Sequence, residues 1–86
     1  MRIPTQLELE DSKELNIRFG NHIRELRQAK NLSTIQMSRR CYMDSGNYVR
    51  IEQGLTNPTL KTLAKLCTAL DITLQELFEN FHFQTK

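Results

Sequence analysis

The sequence predicts an all-α domain of five helices, and two observations carry that prediction. Apolar residues recur every three or four positions in successive stretches, which is the spacing of one face of an α-helix. A Ser, Thr, Asp or Asn precedes each stretch, and such residues mark the positions where helices begin. The 86 residues suffice for one domain with one small core. We expect that domain to span residues 13–79, between a flexible arm (1–12) and a tail (80–86).

The composition excludes several classes of protein. Apolar runs are short and interrupted by charge, so no membrane-spanning segment is expected, and the N-terminus lacks the pattern of a secretion signal. These features predict a cytoplasmic protein without a small-molecule ligand domain. Cys41 and Cys67 lie on apolar stripes and are expected to be buried as small hydrophobic residues. No metal-ligand set, cofactor motif or catalytic constellation is recognisable, so neither a metal, nor a cofactor, nor an enzyme is expected.

The net charge of +2 conceals an uneven distribution along the chain. Residues 15–65 carry nine basic and three acidic side chains, whereas the segments before and after them are each net acidic. A concentration of positive charge in the middle of the chain favours a polyanion as partner. A solvated charged surface would explain the same pattern equally well.

Two helices account for the first half of the predicted domain. The first is predicted over residues 13–30, with Asn31 as the left-handed residue that closes it. The second, over residues 34–41, begins with a capping box formed by Ser33 and Gln36. The inner faces consist of Leu15, Phe19, Ile23 and Leu26 in the first helix and Met37 and Cys41 in the second.

The third helix is predicted over residues 45–53, after a short turn. Asp44 is its candidate N-cap, and Gly54 ends it. Tyr48 and Ile51 are three residues apart and face inward. The outward face is formed by Ser45, Gly46, Asn47 and Arg50.

Two further helices complete the prediction. Asn57 is expected to cap the fourth, with Pro58 at its first helical position, and the helix runs to about Leu70. Its apolar stripe is broad, which predicts a central place in the core; the stripe comprises Leu60, Leu63, Ala64, Leu66, Cys67 and Leu70. Thr73 and Glu76 form a second capping box that opens the fifth helix.

The ordered set of motifs resembles a known family. The stretches FGNHIRELR, LSTIQMSRRC, VRIEQGLTNPTLKTLAKLCTAL and DITLQELF are similar to the Cro/phage-repressor class of helix-turn-helix domain, also called the XRE family. The resemblance covers roughly residues 17–78 without a gap. It implies a compact, five-helix, lambda-repressor-like domain in which the second and third helices form the helix-turn-helix. Members of this family bind operator DNA and usually act as dimeric transcriptional regulators.

The resemblance also implies roles for individual residues. The third helix would be the recognition helix, whose N-terminal residues meet base edges in the major groove; the implied base contacts are Ser45, Gly46, Asn47 and Arg50. The implied phosphate contacts are Thr34, Arg39, Arg40, Asn57, Thr59 and Lys61. Capping is the competing role for Ser45 and Asn47, and a solvated charge is the competing role for Arg50. Arg27 and Glu52 resemble the family's buried ion pair between its first and third helices.

Two positions depart from the family pattern. Thr34 stands where the family often has Gln, which shortens the side chain available for a phosphate contact. Tyr42 stands in the turn, where the family often has Gly. If that turn requires a left-handed residue, a side chain there costs about 1–2 kcal/mol.

The aromatic residues that follow the match either fold back over the core or pair with a second subunit. We expect a homodimer that uses Phe78, Phe81 and Phe83 together with the fifth helix. The functional hypothesis is therefore a dimeric, sequence-specific binder of double-stranded DNA that represses transcription from a palindromic operator. The alternative is an antitoxin or protein-interaction module whose helix-turn-helix regulates its own operon.

Overall fold

Five short-linked helices account for the regular secondary structure of residues 12–81, the part of the chain that the computed structural model describes. They are α1 (Ser12–Ala29), α2 (Thr34–Arg40), α3 (Ser45–Glu52), α4 (Leu60–Leu70) and α5 (Leu74–Leu77). These described residues contain no strand, and the predicted all-α class is confirmed. Of the predicted arm (1–12) only Ser12 is described, and it is the first residue of α1, one position earlier than predicted. Of the predicted tail (80–86) only Asn80 and Phe81 are described, and the rest of both segments lies outside the described residues.

Both predicted capping boxes are present. The Ser33 hydroxyl accepts from the backbone N–H of Gln36 at 3.0 Å, and the Gln36 side chain accepts from the Ser33 N–H at 2.8 Å. Thr73 and Glu76 repeat this exchange at 3.0 and 2.9 Å. Each box satisfies backbone donors that the first turn of a helix otherwise leaves without an intrahelical partner. The starts of α2 and α5 therefore follow from residues only three positions apart.

The predicted start of α4 is wrong. Thr59, and not Asn57, is the N-cap, because its hydroxyl accepts from the backbone N–H of Thr62 at 3.1 Å. The helix consequently begins at Leu60, and Pro58 lies outside it. The Asn57 side chain has a different partner, since its Oδ1 accepts from Asn16 Nδ2 in α1 at 2.6 Å.

The first four helices all end in the same way, with a left-handed residue. Asn31, Tyr42, Gly54 and Asp71 have φ values of 57°, 55°, 76° and 57°. In each case the next residue's N–H donates to a carbonyl five positions back, for example from Met43 to Ser38 at 3.0 Å, which is the pattern of a Schellman motif. Tyr42 therefore occupies the left-handed position that glycine fills more comfortably.

All five helices contribute to a single core. The residues with no exposed surface are Ile23, Met37, Cys41, Tyr48, Leu66, Leu70 and Leu77. The burial predicted for Cys41 and Cys67 is confirmed. The buried face of α4 is narrower than predicted: Leu60, in its first turn, is 72% exposed, and Ala64 is also exposed. Ala69, absent from the predicted stripe, is buried instead.

Candidate nucleic-acid interface

Helices α2 and α3 are a pair of helices joined by a four-residue connection. Met37 and the small Ser38 are the buried residues of α2, and the Ser38 hydroxyl donates to the carbonyl of Ile35 at 2.8 Å. Helix α3 buries Tyr48 and Ile51. Because α3 faces inward through these positions, its opposite side is left to solvent. The exposed side is formed by Ser45, Gly46, Asn47 and Arg50, which we call the reading face.

The first turn of α3 is held by Asp44. One oxygen of its carboxylate accepts from the N–H groups of Gly46 and Asn47, at 3.0 and 3.4 Å. The predicted N-cap is therefore present, and it serves the backbone of the reading face. Asp44 does the capping itself, which leaves the side chains of Ser45 and Asn47 on the surface. A methyl group added at Gly46 would meet only the Asp44 carboxylate, at 3.0 Å, so this position is open toward solvent.

The residues predicted to contact phosphates fall into two groups. Arg39 and Lys61 are exposed, and Thr34 is half-buried at the start of α2. The remaining three have partners within the fold. Arg40 donates to the carbonyl of Ala69 near the end of α4 at 3.1 Å, Asn57 accepts from Asn16, and Thr59 caps α4. Phosphate contacts by any of the six residues stay predictions.

A buried ion pair connects α1 to the end of α3. Arg27 Nε donates to Glu52 Oε2 at 2.6 Å, and a second guanidinium nitrogen donates to Oε1 at 3.2 Å. The third nitrogen of Arg27 donates to the carbonyl of Leu32 at 2.7 Å. Tyr48 also donates its hydroxyl to Glu52 Oε2. The pair expected from the resemblance is therefore present, and Tyr48 is a third member of the cluster that was not predicted from the sequence.

The electrostatics of this cluster keep both charges in place. Burial works to raise the pKa of Glu52, but hydrogen bonds from Arg27 and Tyr48 outweigh it and hold that pKa below its usual value. The hydrogen bond to Glu52 raises the pKa of Arg27. Burial and the same carboxylate raise the pKa of Tyr48, which therefore stays a hydrogen-bond donor. The spacing of four residues between Tyr48 and Glu52 on one helix is the sequence signal that would have identified this contact.

The C-terminal aromatic residues pack against α1. The ring centroid of Phe19 lies 5.9 Å from that of Phe78 and 6.1 Å from that of Phe81. His22 lies 5.3 Å from Phe81, and its Nε2 is 2.5 Å from the carbonyl oxygen of Leu77. Phe81 thus folds back onto the core of its own chain, while Phe78 remains 40% exposed. Phe83, the third predicted dimer residue, lies outside the described residues.

Other kinds of site receive no support from the described part of the chain. Within residues 12–81, no three His, Cys, Asp or Glu side chains lie together as a metal site. Burial raises the pKa of the Cys41 thiol to about 11, and it also raises the pKa of Cys67. Both thiols are therefore protonated at neutral pH and poor nucleophiles. No helix among the described residues is long and apolar enough to cross a bilayer.

A helix pair joined by a tight turn, with polar residues exposed on the first turn of its second helix, defines the helix-turn-helix class of DNA-binding proteins. The family model described as helix-turn-helix matches residues 23–77 of this chain. The chain belongs to the XRE-type helix-turn-helix family, which is a family of DNA-binding transcriptional regulators.

Two similar proteins refine the comparison. The chain is 38% identical over 68 residues to the control protein C.MunI of a Mycoplasma species. This match covers 78% of this chain and 92% of C.MunI. The crystal structure of the restriction-modification controller protein C.AhdI from Aeromonas hydrophila matches with a TM-score of 0.73 and 38% identity. That match covers 76% of this chain and 98% of the C.AhdI chain. The similarity therefore extends over nearly the whole length of C.MunI and of C.AhdI and over about three quarters of this chain.

Proposed function

We propose that this chain is a sequence-specific regulator that binds a palindromic operator as a homodimer and represses transcription, and that its targets are restriction-modification genes. The observation that carries the DNA-binding part is the reading face: four exposed residues on the outer side of α3, on a helix whose other side is buried. The proposed targets are suggested by C.MunI and C.AhdI, a control protein and a restriction-modification controller.

The chemistry of the reading face suits readout of base edges. Arg50 has the paired donors that match guanine, and Asn47 has the donor and acceptor that match adenine. The Ser45 hydroxyl can hydrogen-bond to either base. Asn47 and Arg50 are three residues apart on α3 and so lie on the same side of the helix. Each good bidentate pair is worth about 1–3 kcal/mol of discrimination against the wrong base.

The surroundings of the reading face suit a phosphate backbone. Nine basic and only three acidic side chains lie in residues 15–65, and two of those acids have structural partners. Glu52 is neutralised by Arg27, and Asp44 caps α3. Exposed Arg39 and Lys61 remain available to supply charge to a polyanion. Thr34, Arg40, Asn57 and Thr59 complete the proposed set of phosphate contacts.

Selection of bound sites from a random pool of DNA duplexes tests the proposal directly. We expect a two-fold symmetric sequence with half-sites about one helical turn apart. Affinity should fall steeply with salt, because each phosphate contact releases counterions. Binding without base preference, or a single unpaired half-site, would contradict the proposal of a dimer that reads a palindrome.

A matched pair of variants separates the two kinds of contact. Arg50→Ala should relax preference at one base position per half-site, whereas Arg39→Ala should weaken binding to all sequences alike and reduce the salt dependence. Both variants remove one exposed arginine from the helix-turn-helix, so loss of charge is the same in each. Identical effects of the two variants on specificity would show that this division of roles is wrong.

The proposed dimer is supported by apolar side chains left uncovered at the end of the domain. Leu74 is 41% exposed and Phe78 is 40% exposed, and they are four residues apart on the same side of α5 and its extension. Covering them with a second copy would remove apolar surface from water.

Light scattering should report a dimer for the full chain, and Phe78→Ser should shift the chain toward monomer and weaken operator binding. A wild-type chain that is monomeric at high concentration would rule out this part of the proposal.

A further inference from the structure

The end of the recognition helix rests directly on the backbone of α1. A methyl group in place of the Gly20 hydrogen would lie 2.4 Å from the carbonyl oxygen of Glu52 and 2.5 Å from that of Ile51. Carbon atoms do not approach oxygen atoms this closely, so no side chain fits at residue 20 without movement. Gly20 is itself buried in the middle of α1, where glycine lowers helix stability relative to alanine. Its presence therefore serves the approach of α3.

Two further contacts lie along the same line of α1. A methyl group on Gly54 would lie 2.6 Å from Cα of Ile17, so the residue that ends α3 also touches the α1 backbone. One turn beyond Gly20, a guanidinium nitrogen of Arg24 donates to the Glu52 carbonyl at 3.4 Å. We call this contact the α1–α3 seam; it comprises Ile17, Gly20 and Arg24 from α1 and Ile51, Glu52 and Gly54 from the end of α3.

The seam lies at the opposite end of α3 from the first turn of the reading face. Helix α3 has eight residues, and a helix of that length is about 12 Å long and behaves as a rigid rod. Ordinary contact begins at 3.4 Å, so a methyl group at Gly20 requires α1 and α3 to separate by about 1 Å at this point, which displaces α3 relative to the rest of the domain. Contacts that recognise a ligand tolerate displacements of roughly 0.5 Å.

From this geometry we infer that Gly20 is a positioning residue for DNA recognition. Gly20 contacts no base. It determines how closely α3 packs against α1, and thereby the position that the reading face takes in the DNA groove. The inference rests on the proposed DNA-binding function of that face. It assigns to α1, outside the helix-turn-helix, a part in base specificity and not only in stability.

The test compares affinities of the full chain for a selected operator and for a non-specific duplex at the same salt concentration. Gly20→Ala should lower the ratio of the two affinities by about tenfold or more, the loss expected when one bidentate base contact is misplaced. Non-specific affinity should change little, because charge is unchanged. Urea unfolding establishes that the variant is folded under the conditions used.

A second variant adds no atoms to the seam and decides the matter if Gly20→Ala does not fold. Arg24→Met removes the hydrogen bond to the Glu52 carbonyl together with the ion pair between Arg24 Nε and the Glu52 carboxylate at 3.5 Å, and it should lower the affinity ratio by about threefold. Arg18→Met is its control: it removes the same charge from α1, but Arg18 pairs with Glu14 away from the seam. The control should leave the ratio unchanged, because it affects specific and non-specific binding alike.

The outcomes separate this inference from the proposed function. An unchanged ratio in folded Gly20→Ala, or equal ratios for Arg24→Met and Arg18→Met, would overturn the positioning role. A wild-type chain with no preference for any duplex would instead overturn the proposed function on which it rests. A lowered ratio in folded Gly20→Ala, with the Arg18→Met control unaffected, would establish the role.

Discussion

Replacing Arg27 with methionine removes the cation from the buried cluster and leaves its partners behind. Glu52 is 5% exposed and would be left with only the Tyr48 hydroxyl and the more distant Arg24, whose Nε is 3.5 Å away. The carbonyl of Leu32 would lose a 2.7 Å hydrogen bond as well. Breaking one side of a buried ion pair typically costs about 3–5 kcal/mol, because a charge is left buried without compensation.

That cost is a large part of the stability of so small a domain. Total stabilities of about 5–15 kcal/mol are usual, and in a domain of this size 1 kcal/mol shifts the melting temperature by about 4–8 °C. We therefore expect Arg27→Met to lower the melting temperature by at least about 12 °C. Urea denaturation followed by circular dichroism gives the free energy of unfolding, and thermal scans give the melting temperature.

Two companion variants identify the cause. Arg18→Met removes an exposed ion pair with Glu14 and should cost no more than about 0.5 kcal/mol. Adding Glu52→Gln to Arg27→Met removes the stranded charge while leaving an acceptor for Tyr48, and should recover at least about 1 kcal/mol. If Arg27→Met were no more destabilising than Arg18→Met, the buried cluster would not stabilise the contact between α1 and α3.

Three further predictions concern stability. Thr59→Ala should destabilise the domain by about 1 kcal/mol through loss of the α4 cap, and Asn57→Ala should cost less; the reverse order in urea denaturation would favour Asn57 as the cap. Tyr42→Gly should raise the free energy of unfolding by about 1 kcal/mol, since Tyr42 is 89% exposed with φ of 55°. Asn31→Gly should raise it by less, because asparagine tolerates the left-handed conformation. Equal increases for the two variants would contradict the argument that Tyr42 is strained. The pKa of Glu52 is lowered in the folded state, so its contribution is complete above about pH 4.3, the usual value for Glu, and disappears as the pH falls through the folded pKa. The decline of unfolding free energy below that pH should therefore be shallower in Glu52→Gln, and parallel curves would argue against it.

The candidate site could be located from sequence but not assembled from it. The surface position of Ser45, Gly46, Asn47 and Arg50 followed from the period of one short helix, and the structure leaves all four exposed. The contribution of α1 to the seam could not be inferred, because a glycine within a helix does not indicate which other segment packs against it. Its nearest contacts are backbone atoms of Ile51 and Glu52, more than thirty residues further along the chain.

The sequence by itself determined the helices and most of their ends. Capping boxes such as that of Ser33 and Gln36 join residues three apart, and helix geometry alone brings those residues together. Only the tertiary structure decided which polar groups meet across helices. The Asn57 side chain accepts a hydrogen bond from Asn16 instead of capping α4, and Arg40 donates to the carbonyl of Ala69. Such partners are 29 to 41 residues apart, so their contacts depend on how whole helices pack, which no local pattern specifies.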